Sequence, residues 1–291
     1  MTEVSPNPLK ALALLLSAVF LFEIVGVCAK LLSASYPVGM IIFARNFFAL
    51  WPLALGILML GGKSLLTTRQ PRLHIVRGLV GMATMYCSFA AIGSLPLATL
   101  TALQFTMPIF MVILAALWLR ERLSFAQIGA VGFGFAGAML IANPANGTFN
   151  FATLLALLAA LCGGTASVMA RQLTKTDHSL TIAFYYSLAS ALFGAVMLTQ
   201  GFMVPNLHDL ALFMAAGFAG GVAQLLLTQA YRHAAVGVIA PYEYSSLLWA
   251  SLFGWMFWGD IPTVFTLAGA VIIIAADLIV LLQAERRRAT A

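Results

Sequence analysis

Charge is what this chain has least of. Asp, Glu, Lys and Arg together make up 8% of its 291 residues, while 62% are hydrophobic. A soluble domain carries about a quarter charged residues, so a soluble globular fold is excluded. Cysteine is sparse and odd in number. Cys28, Cys87 and Cys162 are scattered through apolar stretches, which excludes a disulfide framework and leaves them as small hydrophobes. No P-loop is present, so the signature of an ATP-driven pump is missing. His74, His178, His208 and His233 stand at the ends of apolar stretches or between them, without metal-ligand spacing. No Ser/His/Asp set shares one depth in the membrane. Neither an enzyme, a metal centre nor a cofactor is expected.

Lys and Arg are also missing from alternate gaps. Ten apolar stretches run near 9–32, 37–60, 73–93, 96–119, 125–142, 151–171, 179–199, 208–230, 234–258 and 262–283. The gaps near 33–36, 94–95, 143–150, 200–207 and 259–261 hold no Lys or Arg. On the other side lie Lys10, Lys63, Arg69, Arg72, Arg77, Arg120, Arg122, Arg171, Lys175, Arg232 and the Arg286-Arg287-Arg288 tail. This is the positive-inside bias. A helix needs about 20 apolar residues to cross a hydrocarbon core of about 30 Å, and most stretches meet that. The fifth is short and crosses with little tilt. The expectation is an all-α membrane protein of ten transmembrane helices, both termini cytoplasmic, with the first span retained and the lipid bilayer around it. The net charge of +6 belongs to the cytoplasmic loops. No basic face on a soluble module points to nucleic acid.

The chain also repeats itself. Shifted by 139 positions, residues 86–124 meet 225–263 without a gap: Ala91 meets Ala230, Gln104 meets Glu243, Thr106 meets Ser245 and Glu121 meets Asp260. A shift of 141 sets Lys30 on Arg171. Five spans per half is odd, so the second half must enter the membrane in the opposite sense. The charges agree, since two arginines flank Glu121 and none flanks Asp260. Two inverted five-helix repeats, 1–145 and 146–291, are expected to form one structural unit. Inverted repeats are typical of secondary transporters, with the solute site near the midplane where the halves meet.

The stretch LPLATLTALQFTMPIFMVILAALWLRERLS resembles the EamA repeat of the drug/metabolite transporter superfamily, with its turn proline at Pro96, its mid-helix proline at Pro108 and its acidic end at Glu121. The second copy departs from it, with Leu247 in place of the mid-helix proline and Asp260 in place of the glutamate. Within the superfamily the chain is similar to bacterial aromatic amino-acid exporters and to S-adenosylmethionine carriers. The segment RGLVGMATMYCSFAAIGSLPLA, with APYEY later, resembles the latter. The resemblance implies a multi-pass carrier of the bacterial inner membrane that moves small organic solutes by alternating access. Helices 1, 3, 4, 6, 8 and 9 would line a central cavity, with 5 and 10 outside.

Polar groups inside spans are costly and point to function. Glu23, nine residues before the end of helix 1, and Arg45, eight after the start of helix 2, both sit roughly 12–14 Å from the outer face by helical rise. At one depth they can pair, as a structural ion pair or as part of a solute or proton site. Lys30 lies nearer the outer face, where snorkelling to water accounts for it. Gln104 and Glu243 are repeat-related and near the midplane. Pro241 lacks a donor and disrupts helix 9 there, and Pro108 is a hinge in helix 4. Tyr242, Tyr244, Trp249 and Tyr86 supply aromatic faces for a planar or cationic ligand. Asp277 reads as an interfacial carboxylate near the tail, Arg77 as an anchor at the cytoplasmic end of helix 3, and Glu121 as a helix-end device. Stripes of small residues, such as Gly217 and Gly221, read as helix packing and set no oligomeric state.

The reading is a secondary transporter, foremost an exporter of amino acids with aromatic or bulky ones preferred. The alternative solute is a nucleoside-like or cationic metabolite such as S-adenosylmethionine, taken up. A passive channel is the alternative of another class. Competition between a proton and a cationic group for Glu243 would give proton coupling a physical basis.

Overall fold

A computed structural model describes residues 8–60, 62–107, 109–110, 125–142, 150–233 and 240–289. Ten α-helices run through them: α1 Pro8–Ser33, α2 Val38–Leu60, α3 Pro71–Ile92, α4 Leu97–Gln104, α5 Phe125–Ala142, α6 Phe151–Leu173, α7 Ser179–Met197, α8 Leu207–His233, α9 Ser246–Trp258 and α10 Val264–Ala289. No strand occurs among the described residues. Six stretches are long and apolar enough to cross a membrane: Leu9–Ser33, Val38–Leu60, Pro71–Ile92, Phe151–Leu173, Ser179–Met197 and Leu207–Ala230.

The ends of these helices follow from local chemistry. Pro71 opens α3, where its missing N–H would be unpaired in any case. The Asn150 side chain accepts from the Thr153 N–H at 3.0 Å and caps α6. Gly259, with φ of 69°, closes α9 in the left-handed conformation. Two segments depart from α-helical geometry. α4 stops at Gln104, where Phe105 and Thr106 turn with N–H bonds to Ala102 and Leu103. In the other half, Ala240–Ser245 is a 3-10 segment ahead of α9. Of the continuous helix expected over 234–258, the described residues 240–258 form a 3-10 segment and then α9, and Pro241 lies in the 3-10 segment. Non-helical backbone at membrane depth is tolerated where protein or a wet cavity receives it.

The packing is reciprocal. α1 packs along α8 and α6 along α3, while α2 meets α7 and α5 meets α10. Single residues repeat the pattern. A methyl added at Gly220 of α8 would sit 2.6 Å from Arg45 Nε of α2, and one at Gly81 of α3 would strike the Tyr186 ring of α7. Shifts of 139 and 141 take Gly81 to Gly220 and Arg45 to Tyr186. In the same way Gly217 faces Phe48, and Gly78 faces Ala189. Phe105 and Tyr244, themselves 139 apart, meet edge to face at 5.0 Å. Such mutual exchange is what a two-fold relation produces.

The α5–α10 contact allows a direct check. A methyl on Gly137 would lie 2.8 Å from the Gly269 carbonyl, and one on Gly269 would lie 2.6 Å from that of Gly137. Gly137→Ala and Gly269→Ala are each expected to destabilise by about 1–3 kcal/mol through overpacking. Because they wedge one contact, the double variant should fall short of the sum. Melting in detergent measures both.

Lys30 does not snorkel. Its Nζ pairs with Asp260 Oδ2 at 3.0 Å and lies 4.6 Å from the centre of the Trp258 ring. The left-handed Gly259 turns Asp260 back toward α1, so a partner is nearer than bulk water.

The Asp177 loop clasps the start of α3. Its carboxylate takes hydrogen bonds from His74 Nε2 at 2.7 Å and from the Thr68 hydroxyl. Burial pushes the carboxyl up. The bonds from Thr68, His74, the Arg69 N–H and Thr176 outweigh that and hold it below its ordinary range. A depressed folded pKa contributes stability above the unfolded value of about 3.9 that is lost as pH falls through the folded one. Asp177→Asn should therefore melt lower than wild type near neutrality, and the gap should close on acidification below about pH 4.

Candidate solute site

A cavity of about 350 Å³ lies among the helices, within the range of small-molecule sites. α1, α3, α4, α6, α8 and the α9 region line it, while among the described residues α5 and α10 contribute none. α2 and α7 contribute one side chain each, Arg45 and Tyr186. These are the two repeat-related residues seated on glycines, and each glycine lets a long side chain cross its helix to reach the wall.

Of the anticipated residues, Glu23, Arg45, Gln104, Glu243 and Tyr244 all border the cavity. Gln104 Nε2 donates to Ser88 Oγ at 3.2 Å. Tyr244 meets Phe105 across the junction of the two non-α-helical segments. Glu23 is buried, with a side-chain hydrogen bond to Thr101 of α4.

Several expectations are corrected. Glu23 and Arg45 share the cavity but form no ion pair: Arg45 Nη1 donates instead to Asn46 Oδ1 at 2.8 Å, and Glu23 turns to Thr101. Equal depth did not mean equal azimuth. Tyr86 is 39% exposed and lies off the wall, because the lining face of α3 carries Met85, Ser88 and Phe89 instead. Trp249 packs edge-on against Phe20, 4.9 Å between centroids, and is absent from the lining. Arg77 is no interfacial anchor. It is buried at the cavity wall, its Cζ 4.6 Å from the centre of the Tyr186 ring, and Nη1 donates to the Ile182 carbonyl at 3.4 Å. Pro108 and Glu121 lie outside the described residues, as do the side chains of Pro241, Tyr242 and Asp277.

Sequence reasoning also missed Thr84, Ser88, Ser167, Tyr186, Gln224 and Thr228 on the wall. Hydroxyl and amide side chains at single positions give no sequence signal of their own. Tyr186 did have one, since the shift of 141 sets it on Arg45.

A largely apolar cavity with a few polar and charged groups, set among apolar helices, defines a multi-pass membrane protein that handles a small solute. Comparison with known proteins agrees. The EamA-like transporter family model matches residues 9–143 and again 150–282, and the chain belongs to that family. It is a small-molecule transporter and not an enzyme. It is 30% identical to the pseudopaline exporter of Pseudomonas aeruginosa over 89% of this chain and 91% of that one. It is 33% identical to a riboflavin transporter of Rhizobium johnstonii, over 78% and 75% of the two chains. It is 28% identical to the S-adenosylmethionine uptake transporter of Rickettsia bellii over 84% of each. A solved crystal structure at 19% identity superposes with a TM-score of 0.65, covering 95% of this chain and 98% of the other. At that identity the likeness concerns the fold alone.

Proposed function

We propose that this transporter is a secondary exporter of amino-acid-type solutes, aromatic or bulky ones foremost. The observation that carries the reading is the wall itself. Glu23 and Glu243 border one cavity together with Phe22, Phe89, Phe105 and Tyr244. Carboxylates beside aromatic faces suit an ammonium group attached to an apolar side chain. Export rests on likeness to the pseudopaline exporter. The ten helices cross a bacterial inner membrane as two five-helix repeats, 1–145 and 146–291, in opposite sense, with both termini cytoplasmic. The one-sided basic loops and the reciprocal packing support this arrangement. Alternating access then exchanges the exposed side of the cavity, and a proton competing with the ammonium at Glu243 couples transport to pH.

Uptake of a cationic metabolite is the second reading, favoured by likeness to the S-adenosylmethionine uptake transporters. One screen separates the two. A ligand that binds only the folded state raises its apparent melting temperature by RT ln(1 + [L]/Kd). Purified protein is expected to be stabilised by aromatic amino acids and not by S-adenosylmethionine. The reverse order would select the second reading.

A further inference from the structure

We infer that Arg45 holds the carboxylate of the transported solute, so that the cavity selects acids and zwitterions over amines. The inference rests on the proposed amino-acid reading and deepens it. Arg45 is 3% exposed, yet the residue borders the cavity. Nη1 is engaged by Asn46, while Nε has no hydrogen-bond partner. No carboxylate pairs with it among the described residues. A guanidinium withdrawn from water and left without a counter-charge is strongly unfavourable. A carrier that retains one therefore lacks its anion only while empty. Arginine's planar fork matches a carboxylate.

The seating of the side chain supports this. Arg45 lies in the notch left by Gly220, where a methyl would stand 2.6 Å from both Nε and Nη2. The side chain is thus held in place before solute arrives, and pre-organised groups bind more tightly. The repeat-related position holds Tyr186, seated on Gly81 and stacked by Arg77. A charged group therefore faces the cavity from one half where an aromatic ring faces it from the other. That asymmetry orients a solute with an acid at one end and an apolar body.

The test uses the purified full-length protein and three probes: L-phenylalanine, 3-phenylpropionate, which lacks the ammonium, and phenethylamine, which lacks the carboxylate. Melting is followed against concentration of each. Wild type is expected to respond to the first two, with phenethylamine at least about tenfold weaker, the scale of a charged hydrogen bond. Arg45→Gln should melt no lower than wild type when empty, ignore 3-phenylpropionate, and treat phenylalanine and phenethylamine alike. Arg45→Lys keeps the charge but loses the fork, and should respond to acids about tenfold more weakly than wild type. Wild type binding phenethylamine as tightly as phenylalanine overturns the inference and leaves the amino-acid cavity standing. So does an Arg45→Gln protein that melts well below wild type while empty, because Arg45 would then be structural. A wild type that ignores all three probes overturns both readings.

Discussion

Glu243→Gln is expected to fold normally and to transport about ten to a hundred times more slowly, as loss of the about 1.5–3 kcal/mol of a charged hydrogen bond implies. The residue sits in the 3-10 segment Ala240–Ser245 and borders the cavity. This 3-10 segment packs against α1 and α10. Gln keeps the size and a hydrogen-bonding head but cannot neutralise an ammonium. Residual flux should depend less on pH than in wild type, because the group that exchanges proton for ammonium is gone. Melting in detergent separates a folding defect from a transport defect, and flux against pH in proteoliposomes reads the rest. Tyr244→Ala should weaken transport less, since Phe105, 5.0 Å from its ring centre, keeps part of the aromatic wall.

Ala166→Trp is expected to abolish solute binding. Ala166 lies on α6 at the cavity wall with 8% of its surface exposed. An indole there has the cavity of about 350 Å³ to enter, so it plugs the site instead of overpacking the core. Val168, two residues along, is 46% exposed on the outer surface of the same helix. Val168→Trp should leave transport unchanged and serves as the control. If both variants transported like wild type, the cavity would not be the solute route.

The fold was largely readable because bilayers impose strong, local rules. Apolar length gives the helices, and seven of the ten begin and end within about two or three residues of the sequence reading. α4 stops at Gln104, well short of 119, α10 runs on to Ala289, and α9 differs most in how it begins. Periodicity and hydropathy run unbroken across 234–258, and a 3-10 segment at 240–245 was betrayed only by Pro241. The site was readable in depth but not in azimuth. Helical rise placed Glu23 and Arg45 level, and it could not foresee that one turns to Thr101 and the other to Asn46. Arg77 was misread for a related reason. Its position near a helix end suggested an interfacial anchor, whereas Tyr186, crossing over Gly81, supplies a partner inside the protein. The partner of Lys30 has no local signature, because Asp260 lies 230 residues away in the chain. The repeat held more than was drawn from it. The shift of 139 that aligns Gln104 with Glu243 aligns Gly81 with Gly220, and the shift of 141 that aligns Lys30 with Arg171 aligns Arg45 with Tyr186; those last four residues form the two crossings into the cavity.

The central claim is that a cavity bordered by Glu243 binds and moves an amino-acid-type solute. Counterflow tests it most directly. Proteoliposomes are loaded with unlabelled L-phenylalanine and diluted into a trace of labelled L-phenylalanine, with wild type beside Glu243→Gln. Wild type should accumulate label transiently and saturably, and Glu243→Gln should not. Equal accumulation in the two proteins, or none in either, would contradict the account.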